Sequence, residues 1–213
     1  MITNKTVVIS CAGMGKRLGM NMPKCLIEIG GKTLMLRTLE QLNDVKDVRI
    51  VVGYQAERVM EEVRKYRQDI TFVFNHNYMN NGTGASVSLA IPGASEYILT
   101  IDGDITVHPE DMVRLINLDY ECIAGGELNS DDPVKLSVDD LGNVVGFSRE
   151  MGQYEWTGVC CIKAKNLQPT DGHVYYMLEP ILPKKLIIIR YKEVDTPDDL
   201  KRAEKWLMNN YQE

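Results

Sequence analysis

Glycines and cations share one short stretch near the start of the chain. Gly13 and Gly15 precede Lys16 and Arg17, and Gly19 follows them. Glycine lets a backbone turn with positive φ and approach a ligand closely. Exposed amides beside fixed cations suit a polyphosphate. The stretch therefore predicts a phosphate-binding loop, and the plain alternative is a flexible loop with incidental basic residues.

Two carboxylates follow a predicted strand later in the chain. Asp102 and Asp104 flank Gly103, directly after the apolar run at residues 97–101. Ligands of open α/β sheets collect at the carboxyl ends of the strands, and Mg²⁺ prefers oxygen ligands. A Mg²⁺ site is therefore expected here, with two turn acids as the alternative.

Two common phosphate motifs do not match the loop. The dinucleotide fingerprint needs a third glycine where Leu18 stands. The P-loop needs a leading glycine where Leu26 stands, although Gly31-Lys32-Thr33 would supply its end. Gly30-Gly31 instead predicts a tight turn after a strand-like run at residues 26–29.

Elements of two kinds alternate in the first half of the chain. Hydrophobic periodicity predicts strands at residues 7–9, 48–52, 70–74 and 97–101, and helices at residues 34–42 and 55–66. This alternation implies βαβ units and a mainly parallel sheet with helices on both faces. The predicted fold class is α/β and Rossmann-like.

Beyond about residue 120 the runs become short and are separated by turns. Strands are predicted at residues 134–138, 144–147, 156–163 and 186–191. Thr196 is a plausible N-cap of a last helix, with Pro197 at its first position. We expect a single domain over residues 1–213, with a small antiparallel β insertion at about residues 120–180.

Composition limits the class of protein. The 213 residues carry a formal net charge of −6 and no basic run, which argues against a nucleic-acid or anionic-membrane partner. The five cysteines form no Cys-x-x-Cys pair, so neither zinc nor a disulfide framework is indicated. The three histidines show no ligand spacing. A cytoplasmic location is expected.

The glycine-rich stretch belongs to a longer pattern. It runs Ala12-Gly13-Met14-Gly15-Lys16-Arg17-Leu18-Gly19, then Pro23-Lys24 and Gly31-Lys32. This pattern resembles the signature loop of the nucleotidyltransferase superfamily, which includes nucleoside-diphosphate-sugar pyrophosphorylase-like and MobA-like NTP transferases with a GT-A-like fold. The resemblance implies that the loop wraps a nucleoside triphosphate and that Arg17 and Lys24 are catalytic. The implied nucleotide-binding residues are Cys11, Ala12, Gly13, Met14, Gly15 and Lys16.

Residues 80–87 resemble two further segments of this superfamily. Gly82-Thr83-Gly84 is similar to a segment of sugar-phosphate uridylyltransferases, and Asn80-Asn81 is similar to one of phosphocholine-type cytidylyltransferases. We expect Asn81, Gly82 and Thr83 to bind the nucleotide, with amides near Gly82 and the Thr83 hydroxyl reading a pyrimidine edge. The alternative is that Thr83 or Ser86 caps a helix.

The resemblance also separates the roles of the acids. In the superfamily the second acid of the Asp-x-Asp-like motif holds the metal, so Asp104 is the expected ligand and Asp102 the expected nucleotide contact. The stretch from Asp195 to Leu200 resembles the Asp-Thr-Pro ending of several cytidylyltransferases. It implies that Asp195 completes the Mg²⁺ site.

The acceptor side is less well defined. Lys135, Glu155 and Trp156 fall where members of the superfamily carry substrate-contacting strands. Lys135 is expected to bind the acceptor phosphate and Glu155 a cationic or hydroxylated group. Surface charges and a core aromatic residue are the alternatives.

Together these features predict a Mg²⁺-dependent nucleotidyltransferase. It would transfer a nucleoside monophosphate from CTP to a phosphorylated small molecule and release pyrophosphate, for a precursor of cell-surface polysaccharide or lipid. Within the superfamily the chain most resembles phosphocholine- or inositol-phosphate-type cytidylyltransferases. UTP with a sugar 1-phosphate remains an alternative, as do a GT-A-type glycosyltransferase and a non-catalytic regulator. The assembly state, monomer or homodimer, is open.

Overall fold

The computed structural model describes residues 4–210. Its strands are β1 (Lys5–Cys11), β2 (Glu28–Ile29), β3 (Lys32–Thr33), β4 (Asp47–Val52), β5 (Thr71–Phe74), β6 (Tyr97–Asp102), β7 (Ile105–Val107), β8 (Cys122–Gly126), β9 (Lys135–Val138), β10 (Asn143–Ser148), β11 (Tyr154–Lys163), β12 (Lys184–Ile188) and β13 (Tyr191–Glu193). Its helices are α1 (Leu34–Gln41), α2 (Ala56–Tyr66), α3 (Thr83–Ala90), α4 (Pro109–Asn117), α5 (Val174–Leu178) and α6 (Pro197–Asn210).

Nine strands of the described chain form one sheet. Their order is β5-β4-β1-β6-β11-β8-β12-β10-β9. The four strands β5, β4, β1 and β6 are parallel to one another, as the alternation of elements predicts. The central strands β1, β4 and β6 are rich in buried apolar residues because both faces of the sheet are covered there, whereas β5 lies at the edge of the sheet and is more exposed.

The antiparallel strands expected between residues 120 and 180 belong to this same sheet. Strand β11 lies between β6 and β8 and runs antiparallel to both. Its first residues, Tyr154 and Glu155, also pair with β9. The segment therefore continues the central sheet. The sheet curls at its far end, where β9 pairs with both β10 and β11.

The predicted strand at residues 186–191 is wrong in one respect, because the structure divides it. Strand β12 pairs with β8 in the main sheet, whereas β13 pairs with β7 in a separate ribbon. The chain leaves the sheet at Arg190, whose backbone N–H and guanidinium both donate to Asp111 at 2.8 Å. This change of sheet directs β13 toward the carboxyl end of β6.

Two turns follow the sequence predictions closely. Gly30 and Gly31 have φ of 58° and 77° and connect β2 to β3. At the start of α6, the Thr196 hydroxyl accepts from the Asp199 N–H, and the Asp199 carboxylate accepts from the Thr196 N–H at 2.9 Å. This reciprocal cap is the arrangement that fixes a helix N-terminus.

Helix α4 is not predicted by the periodicity of the sequence. His108 caps it, with Nδ1 accepting from the Glu110 N–H at 3.3 Å, and Pro109 takes the first position. Within residues 4–210, no helix is long and apolar enough to cross a membrane.

Gly103, in the loop after β6, lies close against the end of β1, where its N–H donates to the Ser10 carbonyl at 2.9 Å. A Cβ at this position would lie 2.4 Å from the Cys11 Sγ and 2.9 Å from the Ser10 carbonyl oxygen. We expect Gly103→Ala to lower the free energy of unfolding by about 2 kcal/mol, because backbone must move to relieve the overlap. Urea unfolding measures this change.

Gly146→Ala is the matched control. Its Cβ would meet only the Ser137 Cβ, at 4.0 Å. The Gly146 variant should keep the wild-type midpoint within experimental error. Equal midpoints for both variants would contradict the packing derived for Gly103.

Candidate active site

The glycine-rich loop lies at the carboxyl end of β1 and forms one wall of a cavity of about 640 Å³. Gly15 and Gly19 adopt left-handed conformations, with φ of 59° and 72°, and flank a single 3₁₀ turn at Lys16–Leu18. The turn buries Leu18 and leaves Lys16 and Arg17 exposed. The loop is thereby held by one apolar anchor while its cations face the cavity.

Most of the residues expected to form the site meet around this cavity. Those on its wall are Cys11, Ala12, Gly13, Gly15, Lys16, Arg17, Lys24, Asn81, Gly82, Thr83, Asp102, Asp104, Glu155, Trp156 and Asp195. Among the residues that the structure describes, Met14 and Lys135 are the two predicted ones that do not line it.

Three carboxylates cluster at the carboxyl edge of the sheet. The side chains of Asp104, Glu193 and Asp195 each offer an oxygen atom, and these atoms lie within 4.8 Å of one another. The Val194 N–H donates to the Asp104 carbonyl at 2.9 Å, which holds the two segments together. Burial, reinforced by Asp104 and Asp195, raises the pKa of Glu193 to about 9.

Lys24 supplies the counter-charge to this cluster. Its Nζ lies 2.7 Å from the Asp104 Oδ2 and also contacts the Asp195 Oδ1. Arg17 pairs with the other oxygen of Asp195 at 2.7 Å. Although burial alone would lower the pKa of Lys24, the two carboxylates raise it well above its ordinary value.

The cluster has the ligand chemistry of a divalent-cation site. All of its donors are carboxylate oxygens, which Mg²⁺ prefers, and a protein cation already lies between two of them. The wall of the described cavity carries eight carboxylates against four cationic side chains. Asp102 is one of the eight, and burial together with Asp104 raises its pKa well above the usual range. The residues therefore fit a bound Mg²⁺.

The segment before α3 forms the opposite wall. The Gly82 N–H donates to the Asp171 carbonyl at 2.8 Å, and the Gly84 N–H donates to the Gly172 carbonyl at 2.9 Å. The Gly82 amide is therefore engaged within the protein and does not face a base, contrary to expectation. Gly82 is the N-cap of α3, so neither Thr83 nor Ser86 caps that helix. The Thr83 hydroxyl instead accepts from the Val174 N–H, at the first residue of α5, at 3.4 Å.

The three residues expected on the acceptor side have different environments. Glu155 is 2% exposed, and its carboxylate accepts from the N–H groups of Asn129 and Ser130 and from the Ser130 hydroxyl. It orders the loop at the cavity mouth. Trp156 lines the cavity and packs edge-on against Phe147.

Lys135 is directed away from the cavity. Its Nζ donates to the Glu150 carbonyl at 3.1 Å. The cation on the cavity wall in this region is Arg149, which pairs with Asp132 at 2.6 Å. Lys135 is the first residue of β9 and pairs with Ser148 of β10. Its side chain therefore contacts the turn that follows Ser148 and not the cavity.

Sequence reasoning missed several residues of the site. Glu193 is two positions before Asp195, a spacing that places both side chains on one side of an extended chain, so the pattern carried a signal. Asn75 and Tyr175 also line the cavity, but each is isolated in sequence from the recognisable motifs. Their positions follow only from the tertiary fold.

Comparison with known proteins assigns the chain to a family. The profile of the MobA-like NTP transferase domain matches residues 7–124, more than half of the chain. The chain belongs to the MobA-like NTP transferase family. The expected superfamily and the expected Rossmann-like α/β fold are thereby confirmed.

Curated relatives of this MobA-like domain include bifunctional GlmU proteins. The protein from Synechococcus elongatus is 32% identical over 145 residues, covering 67% of this chain and 30% of that protein. The one from Aliarcobacter butzleri is 29% identical over 142 residues, covering 66% and 33%. The chain thus spans about a third of the length of the curated relatives it matches.

Two solved structures share the fold of this MobA-like domain along almost its whole length. CTP:phosphocholine cytidylyltransferase from Streptococcus pneumoniae superposes with a TM-score of 0.81 at 20% identity, covering 95% of this chain and 99% of that one. The inositol-1-phosphate CTP transferase from T. maritima gives 0.81 at 20%, covering 100% and 98%.

The contact between Lys24 and the carboxylate cluster predicts how the free protein binds metal. Lys24→Met removes the ammonium but keeps a long side chain. Without nucleotide, we expect this variant to bind Mn²⁺ about 10-fold more tightly than the wild type, because Asp104 and Asp195 lose a competing cation. Electron paramagnetic resonance titration measures free Mn²⁺ directly.

Lys16→Met provides the control for net charge. Lys16 lines the same cavity but is exposed, so its removal should change the Mn²⁺ affinity by less than about 3-fold because solvent screens it. An affinity of Lys24→Met no higher than that of Lys16→Met would refute a competition between Lys24 and metal.

Proposed function

We propose that this protein is a Mg²⁺-dependent cytidylyltransferase. It transfers a cytidine monophosphate group from CTP to the phosphate of a small-molecule acceptor, in the synthesis of a cell-surface polysaccharide or lipid precursor. One observation carries the proposal: Lys24 and Arg17 of the glycine-rich loop meet Asp104, Glu193 and Asp195 in a single cavity. Phosphate-binding cations and metal-binding acids are the two parts that phosphoryl-group chemistry requires.

The reaction needs no general base. A phosphate monoester has a second pKa of about 6, so the acceptor oxygen is already ionised at neutral pH when it attacks the α-phosphorus of CTP. The bond from the α-phosphorus to the bridging oxygen breaks, and pyrophosphate leaves with the electron pair. Positioning and neutralisation of charge then provide the catalysis.

Residues of the loop have distinct parts in this scheme. Arg17 is exposed at the cavity mouth, where it holds the leaving β- and γ-phosphates. Lys24 is 13% exposed and stabilises the charge that develops at the α-phosphate. The left-handed glycines, Gly15 and Gly19, let the loop backbone follow the triphosphate between these two cations.

Asp104, Glu193 and Asp195 would hold Mg²⁺ through carboxylate oxygens. The bound ion supplies neutralisation of phosphate charge. The excess of carboxylates on the cavity wall supports this requirement, because a triphosphate and a phosphorylated acceptor add further negative charge. The carboxylates also orient Lys24, because Asp104 and Asp195, from distant segments of the chain, both contact its ammonium group.

Two observations support CTP as the nucleotide. Two of the solved structures with this fold carry names that specify CTP transfer, to phosphocholine in one case and to inositol 1-phosphate in the other. The Asn80-Asn81 pair and the Asp195-Thr196-Pro197 ending also resemble cytidylyltransferases. A UTP:sugar-1-phosphate uridylyltransferase is the second candidate, favoured by Gly82-Thr83-Gly84.

The far end of the cavity suits a small phosphorylated acceptor. Trp156 and Tyr175 form an aromatic wall there, each in contact with Phe147. The Arg149–Asp132 ion pair stands at the rim. Arg149 is the cation of this region that is placed to receive the acceptor phosphate, in the role that the sequence suggested for Lys135.

The proposed reaction is tested by pyrophosphate release from CTP and, separately, from UTP, against a panel of phosphorylated alcohols and sugar 1-phosphates. Asp104→Ala should lower the turnover with the best pair at least about 100-fold, because Mg²⁺ would lose a carboxylate ligand and Lys24 a carboxylate that orients it. Circular dichroism and thermal unfolding check that the variant is folded.

Asp198→Ala serves as the control, since Asp198 is exposed on α6 and pairs only with the exposed Lys201 in the described chain. Near-normal turnover by Asp104→Ala would overturn the assigned metal site. Binding of nucleotide without pyrophosphate release from any pair would favour a non-catalytic regulator, and transfer from a nucleotide sugar would favour a glycosyltransferase.

A further inference from the structure

A buried amide lies beneath the wall of the cavity opposite the glycine-rich loop. Asn75 follows β5 and is 2% exposed. Its Nδ2 donates to the Asn81 Oδ1 and to the Ser86 Oγ, each at 3.0 Å. Its Oδ1 accepts from the Asn77 N–H at 3.1 Å and from the Asn81 Nδ2 at 3.3 Å. Asn75 and Asn81 thus form a reciprocal pair of amides.

The orientation of this pair is fixed by one backbone group. The Asn77 N–H can only donate, so the Asn75 atom that it meets must be the carbonyl oxygen. The Nδ2 of Asn75 is then necessarily the atom that faces Asn81. Because that nitrogen can only donate, the Asn81 atom opposite it must be an oxygen. Asn77 therefore determines which way both amides point.

The two amides differ in what they have left for a ligand. Asn75 uses both N–H groups and both oxygen lone pairs within the protein. The Asn81 amide uses one N–H and one oxygen lone pair within the protein. Its other N–H and its other lone pair have no partner among the described residues. Asn81 also lines the cavity. The neighbouring Gly82 and Gly84 amides are engaged with residues 171 and 172, which leaves the Asn81 side chain as a principal polar group of this wall.

The direction of an amide matters for a pyrimidine. Cytosine presents an amino donor at C4, where uracil, like thymine, presents a carbonyl acceptor. An amide that turns freely offers a donor to one base and an acceptor to the other. An amide held in one orientation forms a hydrogen bond with one base. Against the other base it places donor against donor or acceptor against acceptor, and such unpaired polar groups discriminate strongly between ligands.

We propose that Asn75 is a positioning residue that holds the Asn81 amide in one orientation, and that this makes the base subsite choose between cytosine and uracil. The inference rests on the proposed function, because it assumes that a pyrimidine nucleotide occupies the cavity. Although Asn75 borders the cavity, its amide has no hydrogen-bonding capacity left for a base, so it acts through Asn81.

The test compares the affinities of the wild type and of Asn75→Ala for CTP and for UTP. Dissociation constants are measured by isothermal titration calorimetry with Mg²⁺ and without acceptor. We expect the ratio of the two constants to approach unity in the variant, a loss of about 10-fold in discrimination. A purely structural role for Asn75 would weaken both nucleotides equally and leave the ratio unchanged.

Two further variants sharpen the test. Asn80→Ala removes a neighbouring amide that is exposed and bonded to the Asn77 side chain at 2.8 Å, so it should keep the wild-type ratio. Asn75→Ser retains a polar group, but a hydroxyl donates and accepts, so Asn81 can pair with it in either orientation. It should lose the discrimination as Asn75→Ala does, and it covers the case in which Asn75→Ala does not fold.

The outcomes separate this inference from the proposed function. A CTP-to-UTP ratio unchanged in folded Asn75 variants, or absent from the wild type, would overturn the role of Asn75 even if pyrophosphate is released. A wild-type preference for UTP that collapses in the variants would support the role of Asn75 and overturn the choice of CTP. Loss of the ratio without pyrophosphate release from any pair would support Asn75 and count against the transferase.

Discussion

The pairing of Lys24 with Asp104 and Asp195 is the interaction on which the site depends. Charges this far removed from water are tolerated only when they are paired, and each of these side chains is at most 21% exposed. The ion pairs join the beginning of the chain to its end, since Lys24 and Asp195 are 171 residues apart. Strand β13 must therefore leave the main sheet, because only then does it bring Asp195 to the loop after β6.

Much of the fold and the reaction chemistry follows from the sequence, because these parts are encoded locally. The glycine-rich loop, the strand before Asp102 and the cap at Thr196 each depend on residues that are neighbours in sequence. The roles of Glu155 and Asn75 depend on distant partners instead. Glu155 turned out to order the Asn129–Ser130 loop, since burial leaves a carboxylate no alternative to protein donors.

The family profile covers residues that line one half of the cavity but not those that line its far end. The family profile ends at residue 124, so it covers the loop, Asp102 and Asp104. Trp156, Tyr175 and Arg149, which line the far end, lie beyond it. In the proposed reaction the first half activates the nucleotide and the second half selects the acceptor. This division explains why the sequence indicates the reaction more clearly than the acceptor.

The most direct measurement follows the phosphorus atoms of CTP. The protein is incubated with Mg²⁺, a phosphorylated acceptor and CTP labelled either at the α- or at the γ-phosphate, and the products are separated. The proposed reaction predicts α-label in the acceptor product and γ-label in pyrophosphate, in equal amounts. Label from the γ-phosphate in orthophosphate or in the acceptor would contradict it, because bond cleavage would then occur at the γ-phosphorus instead of the α-phosphorus.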